Sequence, residues 1–283
     1  MIAVIVINYK NEERSLRFIQ EEVPKIVSPH FTVVVDNGAS EHCRLKEMVE
    51  QAGISDCFVI SSTENLGFAK GNNLGAEFAK DKCNPEYFLF ANNDIKFLDD
   101  KVIDKLVEKL DTLPDAGVIG PKVIGLDGKL QSPEPFISFW DKHIWIYWSN
   151  LFYGKTHKIR RFKQDYSEKA EEGYHYRIMG SIFLTRSKDY FDCGMMDPET
   201  FLYSEEAILS ERMKLIGKRI YYYPCVAVLH EHGNTTKKLF DKFKVRQLKF
   251  ESDSYYYRKY IGTPGWQFRL AKITYWLKGL IGR

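Results

Sequence analysis

The sequence predicts an α/β protein: a single, mostly parallel sheet flanked by helices, followed by a helical C-terminal extension. Three observations carry that expectation. Four short apolar runs do not alternate with polar residues, helical patterns separate them, and each run closes on a polar cluster. An unalternating run of β-branched residues is what a strand covered on both faces requires, and strands that alternate with helices assemble into parallel sheets with right-handed crossovers.

The runs are "IAVIVI" at 2–7, "FTVVVD" at 31–36, "CFVIS" at 57–61 and "YFLFAN" at 87–92, with helical patterns at 11–27, 41–52, 66–80 and 99–113. Ligands of such sheets lie beyond the carboxyl ends of the strands. Here those ends read "NYKN" (8–11), "DNGAS" (36–40), "TENLGFAKGNN" (63–73) and "NND" (92–94), and all four should open on one edge. The alternation stops near residue 120. A hairpin is expected around Asp127 and Gly128, and an aromatic and basic stretch at 136–166 reads as a loop, an acceptor-facing lid or core. A strand follows at 177–186, then a helix at 204–218 with Ser204 placed to cap it and Gly217 near its end. Two more strands, "RIYYYP" and "VAVLH", occupy 219–230.

At 283 residues and 44% hydrophobic content the chain suits one large domain with an appendage. The start does not resemble a signal peptide, and no stretch nears the roughly eighteen apolar residues of a membrane span, so a cytoplasmic location is expected. Five cysteines, never in a CxxC pair, argue against a disulfide framework or zinc knuckle. The net charge of +3 is unevenly distributed: residues 234–283 hold 12 Lys and Arg against 3 Asp and Glu, whereas the remainder holds 29 against 35. A basic appendage on an acidic body points to an anionic partner, a membrane surface or nucleic acid. Nucleic acid would explain the tail and leave the acidic rim unexplained, so it is set aside.

The two commonest nucleotide-binding signatures are absent. "GFAKGNNLG" has Lys70-Gly71-Asn72 where a Walker loop needs Gly-Lys-Ser/Thr, and no GxGxxG follows the first strand. The carboxylates are more informative. Asp36 ends the second strand, Asp94 follows the fourth, and Glu205 with Glu206 opens the helix at 204. A diphosphate needs a divalent cation held by one or two carboxylates, and a hydroxyl nucleophile needs a separate carboxylate to take its proton. His230 and His232, at the end of a buried strand, could add nitrogen to such a cation, and imidazole with carboxylate suits Mn²⁺ at least as well as Mg²⁺.

In this order, "VIVINYKN", "VVVDNGAS", "ENLGFAKGNNLGA", "FANND", "MGSIFLTR", "MMDPETFLYSEEAILSERMKLIGKRIYYYP" and "VLHEHGNTT" resemble inverting glycosyltransferase family 2, of the GT-A fold, and most closely its rhamnosyltransferase-like branch. The resemblance implies a Rossmann-like GT-A domain over 1–235, with a nucleotide-sugar-binding half (1–120) and an acceptor-binding half (121–235), before a basic helical extension at 236–283. It implies a nucleotide-sugar donor, UDP- or dTDP-linked, bound by Asn8, Tyr9, Asp36, Asn65, Gly67, Lys70, Asn72 and Asn93. Asp94, the carboxylate retained in a DxD-type motif, and His230 would hold Mn²⁺ or Mg²⁺. Glu206, with Glu205 beside it, stands where the family usually has the aspartate that acts as general base. Gly180, Asp197 and Tyr203 would face the acceptor, a saccharide or lipid-linked saccharide of cell-surface polysaccharide synthesis.

The tail has apolar residues Trp266, Leu270, Ile273, Trp276 or Leu277, and Leu280 at three-to-four spacing, interspersed with Arg269, Lys272 and Lys278. This pattern suits a helix lying on an anionic membrane, or one packing on its own body. The expected location extends accordingly to the cytosolic face of the plasma membrane, and a homo-oligomer stays open. Two alternatives remain beside the transferase: a sugar nucleotidyltransferase, and a weak or inactive glycosyltransferase-like binding protein, the latter suggested by "NND" and "SEE".

Overall fold

The structure, a computed structural model, describes residues 1–38, 43–145, 148, 158–231 and 241–281. The four apolar runs form β1 (Ile2–Asn8), β2 (His30–Asn37), β3 (Cys57–Ser62) and β4 (Tyr87–Asn92), separated by α1 (Glu12–Glu21), α2 (Arg44–Gln51) and α3 (Gly67–Cys83). β5 (Ile95–Phe97), α4 (Val102–Asp111) and β6 (Ala116–Gly125) follow. Beyond them lie α5 (Lys158–Lys169), β7 (Gly173–His175), β8 (Ile182–Arg186), α6 (Ser187–Asp192), α7 (Glu205–Leu215), β9 (Arg219–His230), α8 (Lys242–Lys259) and α9 (Gly265–Ile281).

Among the described residues, all nine strands join one sheet in the order β3-β2-β1-β4-β8-β6-β9-β5, with β7 added on β9. The first four strands are mutually parallel, as the alternation predicts. β8 runs antiparallel to β4 and β6, so the second half of the sheet is mixed. Register decides what the edge presents. Asn8 pairs with Asp36, Asp36 with Ser61, and Ile7 with Asn92, which places the polar strand ends in one row. The antiparallel pairing of Ala91 with Ile182 then brings the turn before β8 to the same edge, where the Asn92 N–H donates to the Ser181 carbonyl at 2.8 Å.

Apolar residues fill both sides of the sheet. Phe18, Leu45, Ile103 and Leu106 pack on one side from α1, α2 and α4, and Ala76, Tyr190, Leu209 and Met213 on the other from α3, α6 and α7. A third cluster, including Ala207, Ile208, Tyr256, Tyr257, Phe268 and Ala271, fastens α8 and α9 to α7. The basic extension is therefore packed on the helix that carries Glu206.

Several local expectations are corrected. Residues 219–230 form one strand rather than two, because β9 absorbs Pro224 in an irregularity where its register against β6 shifts between Tyr223 and Ala227. The strand expected at 177–186 begins only at Ile182, after the turn that reaches the rim. Of the stretch at 136–166, residues 158–166 are helical, in a helix that runs on to Lys169, and 141–145 form a short π-helix. Ser204 occupies the N-cap position of α7 without a side-chain capping bond. The turn at Asp127 and Gly128 is present, with the Gly128 N–H donating to the Gly125 carbonyl and Ile124 bridged to Leu130.

Candidate active site

The donor-side residues form a connected network across the strand ends. Asn8 donates to Asp36 at 2.8 Å, Ser15 of α1 donates to the Asn8 side-chain carbonyl at 2.8 Å, and Asn93 donates to the Ser15 hydroxyl at 2.7 Å. Asp36 also accepts from the Cys43 thiol, yet two carboxylate oxygens offer about four acceptor directions, so capacity remains for a base N–H. Asn65, just before α3, accepts from the Gly67 N–H at 3.0 Å, and together with Tyr9 it borders Gly38. Gly67 passes so close to the Phe201 carbonyl that a Cβ would lie 2.3 Å from it, so no larger residue fits. Asn72 is buried and bonds back to the Phe68 carbonyl within α3, and Lys70 is exposed on the same helix.

Asp94 and His230 meet at the end of β9, with His230 Nε2 3.3 Å from Asp94 Oδ1. The other ring nitrogen, Nδ1, lies 2.8 Å from Gln131 Oε1, and Arg14 Nη1 stands 3.7 Å from Asp94 Oδ2. A ring that donates its Nδ1 proton to Gln131 presents its Nε2 lone pair beside the carboxylate, the arrangement by which outer partners orient metal-binding imidazoles. No group of three or more metal-ligating His, Cys, Asp or Glu side chains occurs among the described residues. One carboxylate and one imidazole fit a hard or borderline divalent cation whose other ligands are substrate phosphates and water.

The general-base candidates sit at the head of α7. Glu206 Oε1 accepts from the Gly180 N–H at 3.1 Å, and a Cβ at position 180 would lie 2.6 Å from that oxygen. Glu205 differs from its neighbour. It is buried, its Oε1 has no hydrogen-bond partner, and burial reinforced by the Glu206 charge pushes its carboxyl up to about 8. Tyr203 and Ser204 both have left-handed backbones, with φ of 79° and 69°. Ser204 is held there by Asp253 of α8, whose Oδ1 accepts from the Ser204 hydroxyl and from Lys142 Nζ, each at 2.7 Å, while Oδ2 lies 2.9 Å from His143 Nε2. Burial would raise the Asp253 carboxyl, but Lys142 and His143 outweigh it and hold it below the usual carboxylate range. Arg177, ion-paired with Glu134, places a buried positive charge near Glu206.

The structure thus joins Asn8, Asp36, Asn93, Gly180 and Glu206 along one edge and sets Asp94 and His230 next to it. Asp197 is not part of that edge. Its buried carboxylate is enclosed by Tyr255, Lys259, Tyr260 and Arg212, and it anchors the extension. His232 lies outside the described residues. Arg14, Ser15, Gln131 and Asp253 were not singled out from the sequence. Ser15 sits in an ordinary amphipathic helix, Gln131 in a hairpin, and Asp253 49 residues after the serine it holds, so no local pattern marks them.

Comparison with known proteins gives a consistent result. The chain is 22% identical over 257 residues, 83% of its length and 78% of the relative's, to the N-acetylglucosaminyl-diphospho-decaprenol L-rhamnosyltransferase of Mycobacterium tuberculosis. The mannosyltransferase PcManGT from Pyrobaculum calidifontis, solved with GDP-Man and Mn²⁺, superposes with a TM-score of 0.59 at 12% identity, over 100% of this chain and 76% of that one. GalNAc-T7, solved with UDP, GalNAc and Mn²⁺, superposes with a TM-score of 0.57 at 15% identity over 82% of this chain, which spans 44% of that protein's length. At such identities these two structures establish a shared fold, that of GT-A glycosyltransferases. The family model for glycosyl transferase family 2 matches residues 4–179, well over half of the sequence, and the protein belongs to that family.

Proposed function

We propose that the protein is an inverting glycosyltransferase that moves a sugar from a UDP- or dTDP-linked donor to a hydroxyl of a saccharide or lipid-linked saccharide acceptor. One observation carries this reading. A hydrogen-bonded path runs from Asp36 through Asn8 and Ser15 to Asn93, and from Asn92 through the Gly180–Ser181 turn to Glu206. It supports a reading in which the Asp36 end receives the nucleoside and Glu206 takes the proton. The rhamnosyltransferase relative supports a lipid-linked acceptor.

Glu206 removes the proton from the acceptor hydroxyl, whose oxygen attacks the anomeric carbon from the face opposite the diphosphate; the bond to the diphosphate breaks and the configuration inverts. The Gly180 N–H restrains the longer Glu206 side chain where the family usually has aspartate, and so holds the proton-accepting oxygen in position. Burial, reinforced by the neighbouring Glu206 charge, raises the Glu205 carboxyl and favours its protonated form at the head of α7. Asp94 and His230 would hold a divalent cation, and the chemistry it supplies when bound is neutralisation of charge on the departing diphosphate.

Glu206→Gln should abolish transfer while donor affinity stays near that of the unmodified protein. The assay is release of nucleoside diphosphate and formation of product with Mn²⁺, over donors selected by thermal shift from a panel of nucleotide sugars. Undiminished turnover by the variant would remove Glu206 as the base.

A further inference from the structure

The third apolar cluster leaves a conspicuous surface on its outer side. α9 faces the body with Phe268, Ala271 and Thr274, all buried. Its opposite side carries Trp266, Ile273 and Trp276, which are 56%, 53% and 65% exposed. Residues seven and ten apart return to one side of a helix, so these three form a stripe. The stripe continues off the helix, because the ring of Trp140, itself 37% exposed, packs edge-on against Trp266 with centroids 5.9 Å apart. Trp145, 51% exposed, follows at the end of the π-helix that α9 contacts. Four tryptophans and an isoleucine are thus held in water by elements whose other faces are well packed. Arg269 and Lys272 are exposed beside them, and residues 260–283 contain no Asp or Glu.

We propose that this face docks on the surface of an anionic lipid bilayer. Tryptophan is favoured where an apolar ring and a polar N–H meet the headgroup layer, and Arg269 and Lys272, on a segment without Asp or Glu, match the charge of anionic headgroups. A soluble acidic partner would satisfy the cations but not the apolar stripe; a second copy of this chain would bring like charges together. No helix among the described residues is long and apolar enough to cross a membrane, so the contact is one of lying on the surface. The same helix packs through α8 and the third cluster onto α7, so the docked face and Glu206 belong to one packed unit. The inference stands on the outer face of α9 and is independent of the proposed transfer reaction.

The test is flotation of the full chain with vesicles of phosphatidylcholine alone and of equal parts phosphatidylcholine and phosphatidylglycerol. The protein should float with the anionic vesicles, less so as salt rises, and remain behind with the neutral ones. The triple variant Trp266→Ser, Ile273→Ser, Trp276→Ser alters only exposed side chains, and it should lose about tenfold or more of the bound fraction while keeping its melting temperature. A chain that ignores anionic vesicles, or a variant that floats equally well, overturns the proposal. A dimer in solution that the triple variant breaks, with no flotation by either protein, also overturns it and assigns the face to self-association.

Discussion

Gly180 donates its backbone N–H to Glu206 at 3.1 Å, and no side chain can stand at position 180 without meeting that carboxylate. The atoms that a new Cβ would strike are Oε1, Cγ and Cδ of the Glu206 side chain, which can swing away by rotating about its own bonds, so folding should tolerate Gly180→Ala. Catalysis should not, since a displacement near 1 Å of a reacting group can cost about a hundredfold in rate. We expect kcat to fall by about that factor, with donor KM and melting temperature little changed. A variant with normal kcat would show that the oxygen held by Gly180 is not the one that accepts the proton.

Glu205 should give the protein an unusual pH dependence. Its folded-state value of about 8 lies above the ordinary 4.5, so the native state binds the extra proton between those values and stability falls as pH rises through the window. The slope from this residue is at most about 1.4 kcal/mol per pH unit. Glu205→Gln preserves shape and removes the ionisation. The melting temperature of the variant should therefore hold between about pH 5 and pH 8 while that of the unmodified protein declines across that window and levels off above it. Parallel decline of both would place the alkaline loss elsewhere. At the acid end Glu134 acts with the opposite sign. Burial raises its carboxyl, but Arg177 and Lys163 carry it down to about 2, so its contribution is present above 4.5 and is lost as pH falls toward 2 in both proteins.

The donor half was legible because β1, β2 and β4 are covered on both faces, and a sequence must then write them as uninterrupted apolar runs; β3, at the edge, is only half-buried. Asp36, Asn93 and Asp94 could be placed for the same reason, since each directly follows or closes such a run. The second half obeys longer-range constraints. Pro224 reads as a strand end, yet parallel pairing with β6 continues past it through a register shift. Ser204 reads as a helix cap, yet its hydroxyl is drawn away by Asp253, and the left-handed backbone at Tyr203 and Ser204 follows from no residue preference. Asp197 reads as an acceptor contact by resemblance, whereas three groups from residues 255–260 enclose it with Arg212. The tail's period announced an apolar face; only packing shows that Phe268 and Ala271 turn inward and Trp266 and Trp276 outward.

Asp253 is the means by which the extension sets the head of α7. Ser204→Ala removes one hydrogen bond and should cost about 1 kcal/mol. Asp253→Asn leaves Lys142 without its buried counter-charge and should cost about 3 kcal/mol or more. If Asp253 positions the turn before Glu206, Ser204→Ala should also lower kcat several-fold with donor KM unchanged. Loss of stability without any change in kcat would confine the contact to a structural role.

Gln131 governs which nitrogen His230 presents, because its side-chain oxygen lies 2.8 Å from Nδ1. Asp94 and His230 are two donors among the described residues, few for a divalent cation, so Mn²⁺ should bind weakly to the protein alone and much more tightly when a nucleoside diphosphate supplies further oxygens. Gln131→Leu preserves volume and removes the acceptor, freeing the ring to adopt the other tautomer. The Mn²⁺ concentration needed for half-saturation should rise about tenfold or more, measured by calorimetry with UDP present and, separately, by transfer activity. His230→Ala should raise it further, and Asp94→Asn should do so without altering UDP binding in the absence of metal. Unchanged Mn²⁺ affinity in both His230→Ala and Asp94→Asn would move the cation away from the end of β9, whatever the fate of Glu206 as the base.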